Sequence, residues 1–114
     1  MLTDTPLSVA DVLSKAADLI EPEGAWIQGD FAKNAAGENT GLTEFRGPAV
    51  CWCTYGAIEQ VTDDEEVMVA AEVFLAKMLK GTSIAEWNDA RNRTQAEVVA
   101  KLREAATLAR AGDA

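Results

Sequence analysis

The sequence predicts an all-α domain: a compact bundle of four main helices plus a short helical turn, with a long packed loop between the first and second helices. Three observations predict it. Apolar residues recur at three- and four-residue spacing over separate stretches. Capping signals stand in front of several of those stretches. There is neither an internal repeat nor a strand pair joined by a hairpin turn, although a short hairpin inside the long loop stays open. The 114 residues fit one domain, residues 1–114, with 1–7 and 112–114 expected as frayed ends.

The first helix spans Val9 to Ile20, where Val9, Val12, Leu13, Ala16, Leu19 and Ile20 share a stripe opposite Asp11, Ser14, Lys15 and Asp18. Ser8 caps it, Asp11 sits where the macrodipole favours an anion, and Pro22 stops it. From Glu23 to Gly47 glycines and asparagines break the pattern, yet Trp26, Ile27, Phe31, Leu42 and Phe45 remain. Such a loop is expected to pack on the core, with a turn of helix around Asp30 to Ala36 and its most mobile tip at Gly37 to Gly41.

Pro48 suits a first helical position, and Val50, Thr54, Ala57, Ile58 and Val61 then fall on one face. Trp52, Tyr55 and Gly56 make the other side apolar as well, so 48–61 reads as the central helix, with Gly56 admitting a close neighbour. Thr62 and Glu65 form a capping box for a helix reaching Lys80. Its main face is Val67, Ala71, Phe74, Leu75, Met78 and Leu79. Val69, Val73 and Ala76 form a second stripe, a candidate partner interface. A turn over Ser83 to Asp89 precedes another capping box, Thr94 with Glu97, and a last helix whose core stripe is Val98, Val99, Leu102, Ala105, Ala106 and Ala109.

Nineteen Asp and Glu against ten Lys and Arg, with no His, give a net charge of −9 that is expected to stay flat between pH 6 and pH 8. This field opposes direct nucleic-acid and anionic-membrane binding and suits a basic protein partner, or solubility alone. No apolar run reaches membrane-spanning length and the start has no basic leader, so a cytoplasmic location is expected. Cys51 and Cys53, placed on a helix, point apart and are expected as free thiols.

The missing histidine removes Ser-His-Asp and Cys-His catalysis and imidazole zinc sites, so no catalytic set, metal or cofactor is assigned. Cys51, in the first turn of its expected helix, is the one candidate reactive thiol. Consecutive Asp63 to Glu66 do not converge on a cation, and 30–44 fits no calcium-loop register. Periodicity leaves Trp26, Gln28, Asp30, Trp87, Asn88, Asp89, Arg91 and Arg93 unexplained, and Trp26, Gln28, Trp87, Asn88, Asp89 and Arg93 are the candidate ligand or partner residues. They read either as core plugs and turn-formers or as a shallow ligand or partner site.

The runs Trp26-Ile27-Gln28-Gly29, Cys51-Trp52-Cys53-Thr54-Tyr55-Gly56-Ala57-Ile58, Ile84-Ala85-Glu86-Trp87-Asn88-Asp89 and Arg93-Thr94-Gln95-Ala96-Glu97-Val98-Val99, together with Ala16-Ala17-Asp18-Leu19-Ile20, carry a further signal. With them the chain resembles a family of small bacterial and phage proteins classed as a domain of unknown function. The resemblance implies a bacterial or phage cytoplasm and supplies no activity.

The leading expectation is a non-enzymatic protein-binding accessory or regulatory factor, such as an inhibitor of a host or defence protein. Two alternatives stand beside it: a small-molecule or nucleotide-binding domain with a pocket near Trp26 and Trp87, and a self-associating structural protein, a homodimer through the Val69 and Val73 stripe.

Overall fold

The structure, a computed structural model, describes residues 7–40 and 48–112. In chain order these form α1 (Val9–Ile20), β1 (Ala32–Asn34), β2 (Ala49–Trp52), α2 (Thr54–Val61), α3 (Glu65–Met78), α4 (Ile84–Asn88) and α5 (Gln95–Gly112). Most of the expected frayed ends, and the loop residues Gly41, Leu42, Phe45 and Gly47, lie outside the described residues.

Helix α1 forms as its sequence dictates. Ser8 Oγ accepts from Asp11 N at 3.0 Å while Asp11 Oδ2 accepts from Ser8 N at 3.2 Å, a complete capping box. Val12, Leu13, Ala16, Ala17 and Ile20 are fully buried, and α1 packs most extensively on α5 through Val98, Leu102, Ala105, Ala106 and Ala109. The two helices run antiparallel, because Asp11 pairs with Arg110 while Asp18 and Glu21 pair with Arg103. Gln95 reinforces this pairing: its Nε2 lies 2.7 Å from the carbonyl oxygens of Ile20 and Pro22, supplying donors to the open end of α1. The Thr94 and Glu97 capping box also forms, with Glu97 N donating to Thr94 Oγ1 and Thr94 N to Glu97 Oε1.

The all-α expectation is overturned. Five helices share the described residues with an antiparallel two-stranded sheet, so the fold is mixed α/β. The strands fall where helix was expected: Ala32–Asn34 replaces the helical turn around Asp30 to Ala36, and Ala49–Trp52 replaces the first half of the 48–61 helix. Ala32 pairs with Trp52 and Lys33 with Cys51. The other edge of β2 is occupied too, since Trp52 N donates to Ala25 O (2.8 Å) and Ile27 N to Trp52 O (3.0 Å). A four-residue strand satisfied on both edges offers too few positions for period 2 to be told from period 3.6. Val50, assigned to the helix face, is 49% exposed on this strand.

Helix α2 therefore begins at Thr54, with Cys53 as its N-cap; Cys53 Sγ accepts from Gly56 N at 3.2 Å. The Thr62 and Glu65 capping box does not form. Thr62 ends α2, Asp64 caps α3 by accepting from Glu66 N, and Thr62 Oγ1 accepts from Asp64 N. The α3 core face is as expected, with Ala71, Leu75 and Leu79 buried and Val67, Phe74 and Met78 packed against them. Helix α3 ends at Met78, and the chain reverses through Lys80 and Gly81, both at positive φ.

The close approach expected at Gly56 is present and has a specific partner. Phe31 O accepts from Cys53 N at 3.0 Å, which seats the end of the loop directly on the first turn of α2, and a Cβ on Gly56 would run into that carbonyl. Gly56→Ala is expected to lower stability by about 1–3 kcal/mol, measured by urea denaturation, because the obstructing atom is backbone and cannot swing away.

Candidate functional site

Four of the six candidate residues, Trp26, Gln28, Asn88 and Asp89, converge on the amide of Asn88. Asn88, completely buried at the end of α4, accepts through Oδ1 from Trp26 Nε1 (2.7 Å), Thr54 N (2.9 Å) and Thr54 Oγ1 (2.6 Å). Its Nδ2 donates to Ile27 O (3.1 Å) and Asp89 Oδ1 (2.9 Å). Gln28 Nε2 donates to the carbonyls of Asn88 and Ala90, and Gly29 N to Asp89 Oδ1. Trp26, Gln28, Asn88 and Asp89 thus clasp the loop to α4 and to the start of α2. Arg93 lies outside this clasp. Its guanidinium stacks 4.1 Å from the Trp87 ring centre while Nε donates to Trp87 O and the fork reaches Glu97 at 3.8 Å. The surface beside Trp87 is lined by Arg93, Glu97 and Lys101, and Trp26 is not among its lining residues.

Two depressions flank the clasp. A cleft of about 180 Å³ is lined by Asp30, Phe31, Asn39, Cys53, Tyr55 and Asp89 among others. A shallower groove of about 340 Å³ is lined by Tyr55, Val69, Glu72, Val73, Ala76 and Ile84. Tyr55 and Ala85 border both, and none of the described residues lining either is Lys or Arg. Tyr55 holds its place against Phe31, with ring centres 5.4 Å apart. The two interface candidates Val69 and Val73 are 46% and 48% exposed, with Ala76 partly buried beside them.

Cys51 and Cys53 are both buried and unbridged. The helix-terminus argument for Cys51 reactivity falls, because Cys51 is on β2 and donates to Lys33 O at 3.8 Å. Cys53 occupies the helix terminus instead. Burial pushes its thiol up from the ordinary range and Asp89 adds to the effect, so it stays protonated at neutral pH. No group of three His, Cys, Asp or Glu able to hold a metal occurs among the described residues, and no described helix is long and apolar enough to cross a membrane.

The residue that sequence reasoning missed is Glu72. It is only 9% exposed, and its Oε2 is buried with no hydrogen-bond partner. Burial, followed by the neighbouring Glu59 carboxyl, pushes it up to about 7, and the same two carboxylates add to burial in raising Tyr55. The expectation of a flat charge between pH 6 and pH 8 is corrected accordingly. Nothing in the local sequence marks Glu72, and it is the packing of α2 and α4 on α3 that encloses it.

Removing the Asn88 side chain strands donors on Trp26 and Thr54, so Asn88→Ala is expected to cost at least about 3 kcal/mol in a urea melt. Asn88→Asp keeps the acceptors but sets a second carboxylate against Asp89, and its deficit is expected to widen from pH 4 to pH 8. Glu72 has its own pH signature. Between its ordinary 4.5 and about 7 the folded chain binds a proton that the unfolded chain has released, so its contribution is full below 4.5 and is lost as pH rises through 7. The melting temperature is expected to fall across that window and to fall less in Glu72→Gln, as read by calorimetry.

No curated protein and no solved structure matches the chain. Residues 4–108 match DUF6197, a family of unknown function, in keeping with the resemblance to an uncharacterised family. The chain belongs to this family.

Proposed function

We propose that this protein is a non-enzymatic binding factor that docks a basic segment of another protein on the face formed by α3, α4 and Tyr55. The observation that carries the reading is the Val69 and Val73 stripe. Two β-branched residues, each about half exposed, border a groove that shares Tyr55 and Ala85 with a cleft lined in part by Asp30 and Asp89. Apolar contact beside the carboxylates of Glu72 and Asp89, with Asp30 already paired to Lys33 at 3.7 Å, favours a partner with apolar and cationic side chains, and the net charge of −9 steers such a partner inward. A nucleic-acid-binding protein, host or defence, is one source of basic segments. The unbridged cysteines support a reducing, cytoplasmic setting. The small-molecule reading ranks second, because Trp26, Gln28, Asn88 and Asp89 hydrogen-bond one another and the surrounding backbone in the clasp.

A photocrosslinker carried at Val69, activated in native extract, is expected to capture a Lys- and Arg-rich segment of a different protein. Val73→Glu, at an exposed position that leaves the fold intact by circular dichroism, is expected to abolish the capture. Capture of a second copy of this chain alone would move the assignment to self-association, and no capture at all would overturn the docking reading.

A further inference from the structure

We propose that the groove beside α3 is a receptor for a single cationic side chain, lysine or arginine, of the docked partner, whose charged head pairs with Glu72. This rests on the docking reading above and specifies its chemistry. A buried carboxylate oxygen without a donor is costly, and Oε2 of Glu72 has none, although Glu59 and the Tyr55 hydroxyl interact with the carboxyl group. The groups acting on Glu72 are the Glu59 carboxyl and the Tyr55 phenol, both of α2, while α4 contributes Ser83, Ile84 and Ala85, none of which titrates near neutrality. The missing element is a cation with hydrogens to donate.

The walls specify the rest of the ligand. Val69, Val73 and Ala76 offer an apolar channel suited to the methylene stem of lysine or arginine, and the Tyr55 ring stands at its edge to face a cationic head. An anion is repelled by Glu72 and Glu59. A purely apolar plug would leave the orphaned oxygen, already buried, still without a partner. A divalent metal needs around six oxygen ligands, which this wall does not assemble.

Docking is linked to a proton. With the groove empty the Glu72 carboxyl holds a proton over much of the neutral range, and pairing with a cation requires that proton to leave to solvent. Binding therefore strengthens as pH rises. Ionisation around pH 7 increases the competent fraction, and so the affinity, by about tenfold between pH 6 and pH 8.

The test titrates the full chain with n-butylammonium, n-butylguanidinium and neutral 1-butanol at constant ionic strength, followed by NMR of Val69, Val73 and the Glu72 carboxyl carbon. Both cations are expected to shift these signals and lower the Glu72 titration midpoint, with the tenfold pH dependence, while butanol leaves the midpoint in place. Glu72→Gln, which preserves volume, is expected to lose the cation preference. An equal response to butanol, or a cation preference that survives Glu72→Gln, overturns the assignment. If Val69 still crosslinks to a basic segment in that case, the docking reading stands without Glu72. Cation binding at Glu72 with no crosslink at Val69 overturns the docking reading, and with it the protein source of the cation.

Discussion

The amide of Asn88 is the constraint around which the non-helical half of the molecule is arranged. Its oxygen gathers donors from the loop, through Trp26, and from the first turn of α2, through Thr54, while its nitrogen reaches back to the loop backbone at Ile27. Three segments far apart in sequence are thereby referred to one fully buried group. Only an amide serves here, because the site demands an acceptor on one side and two donors on the other. Once Asn88 is fixed, Asp89 receives Gly29 N and Gln28 spans the α4 carbonyls. That sets the rim of the cleft and the position of Tyr55 relative to α3.

The helices that dock on one another were legible because their stripes are long and their caps are local. Helices α1 and α5 each announce themselves within a few residues of their own N-terminus, and the structure honours Ser8 with Asp11 and Thr94 with Glu97. The sheet was illegible for the opposite reason. Residues 49–52 owe their extended form to partners on both edges, at Ala25, Ile27 and β1, and none of these is a neighbour in sequence. The Thr62 and Glu65 box failed because a second acceptor, Asp64, stood two residues nearer the helix and took the cap.

The site was half legible. Trp26, Gln28, Asn88 and Asp89 stood out because no stripe absorbed them, and the structure brings those four together. Their polar atoms are spent on one another, which is what a clasp requires and what a ligand site seldom tolerates. Glu72 shows the converse. Its residue type and position mark an ordinary exposed helix residue, and its unusual state arises from burial and then from Glu59, thirteen positions upstream in the chain, which outweigh the opposing hydrogen bond of Tyr55. Perturbed carboxyls of this kind belong to tertiary structure and leave no trace in local sequence.

The contact between Gln95 and the end of α1 bears on how the chain acquires this fold. The carbonyls that close the first helix are satisfied by a side chain 75 positions later, at the start of the last helix. Emerging from the ribosome well before α5, α1 must keep its C-terminal turn hydrated until the residues between the two helices have followed. The partner helix then brings both the missing apolar face and the missing donors, so the oldest and youngest parts of the described chain become ordered in the same event. Such long-range closure slows folding and makes it cooperative.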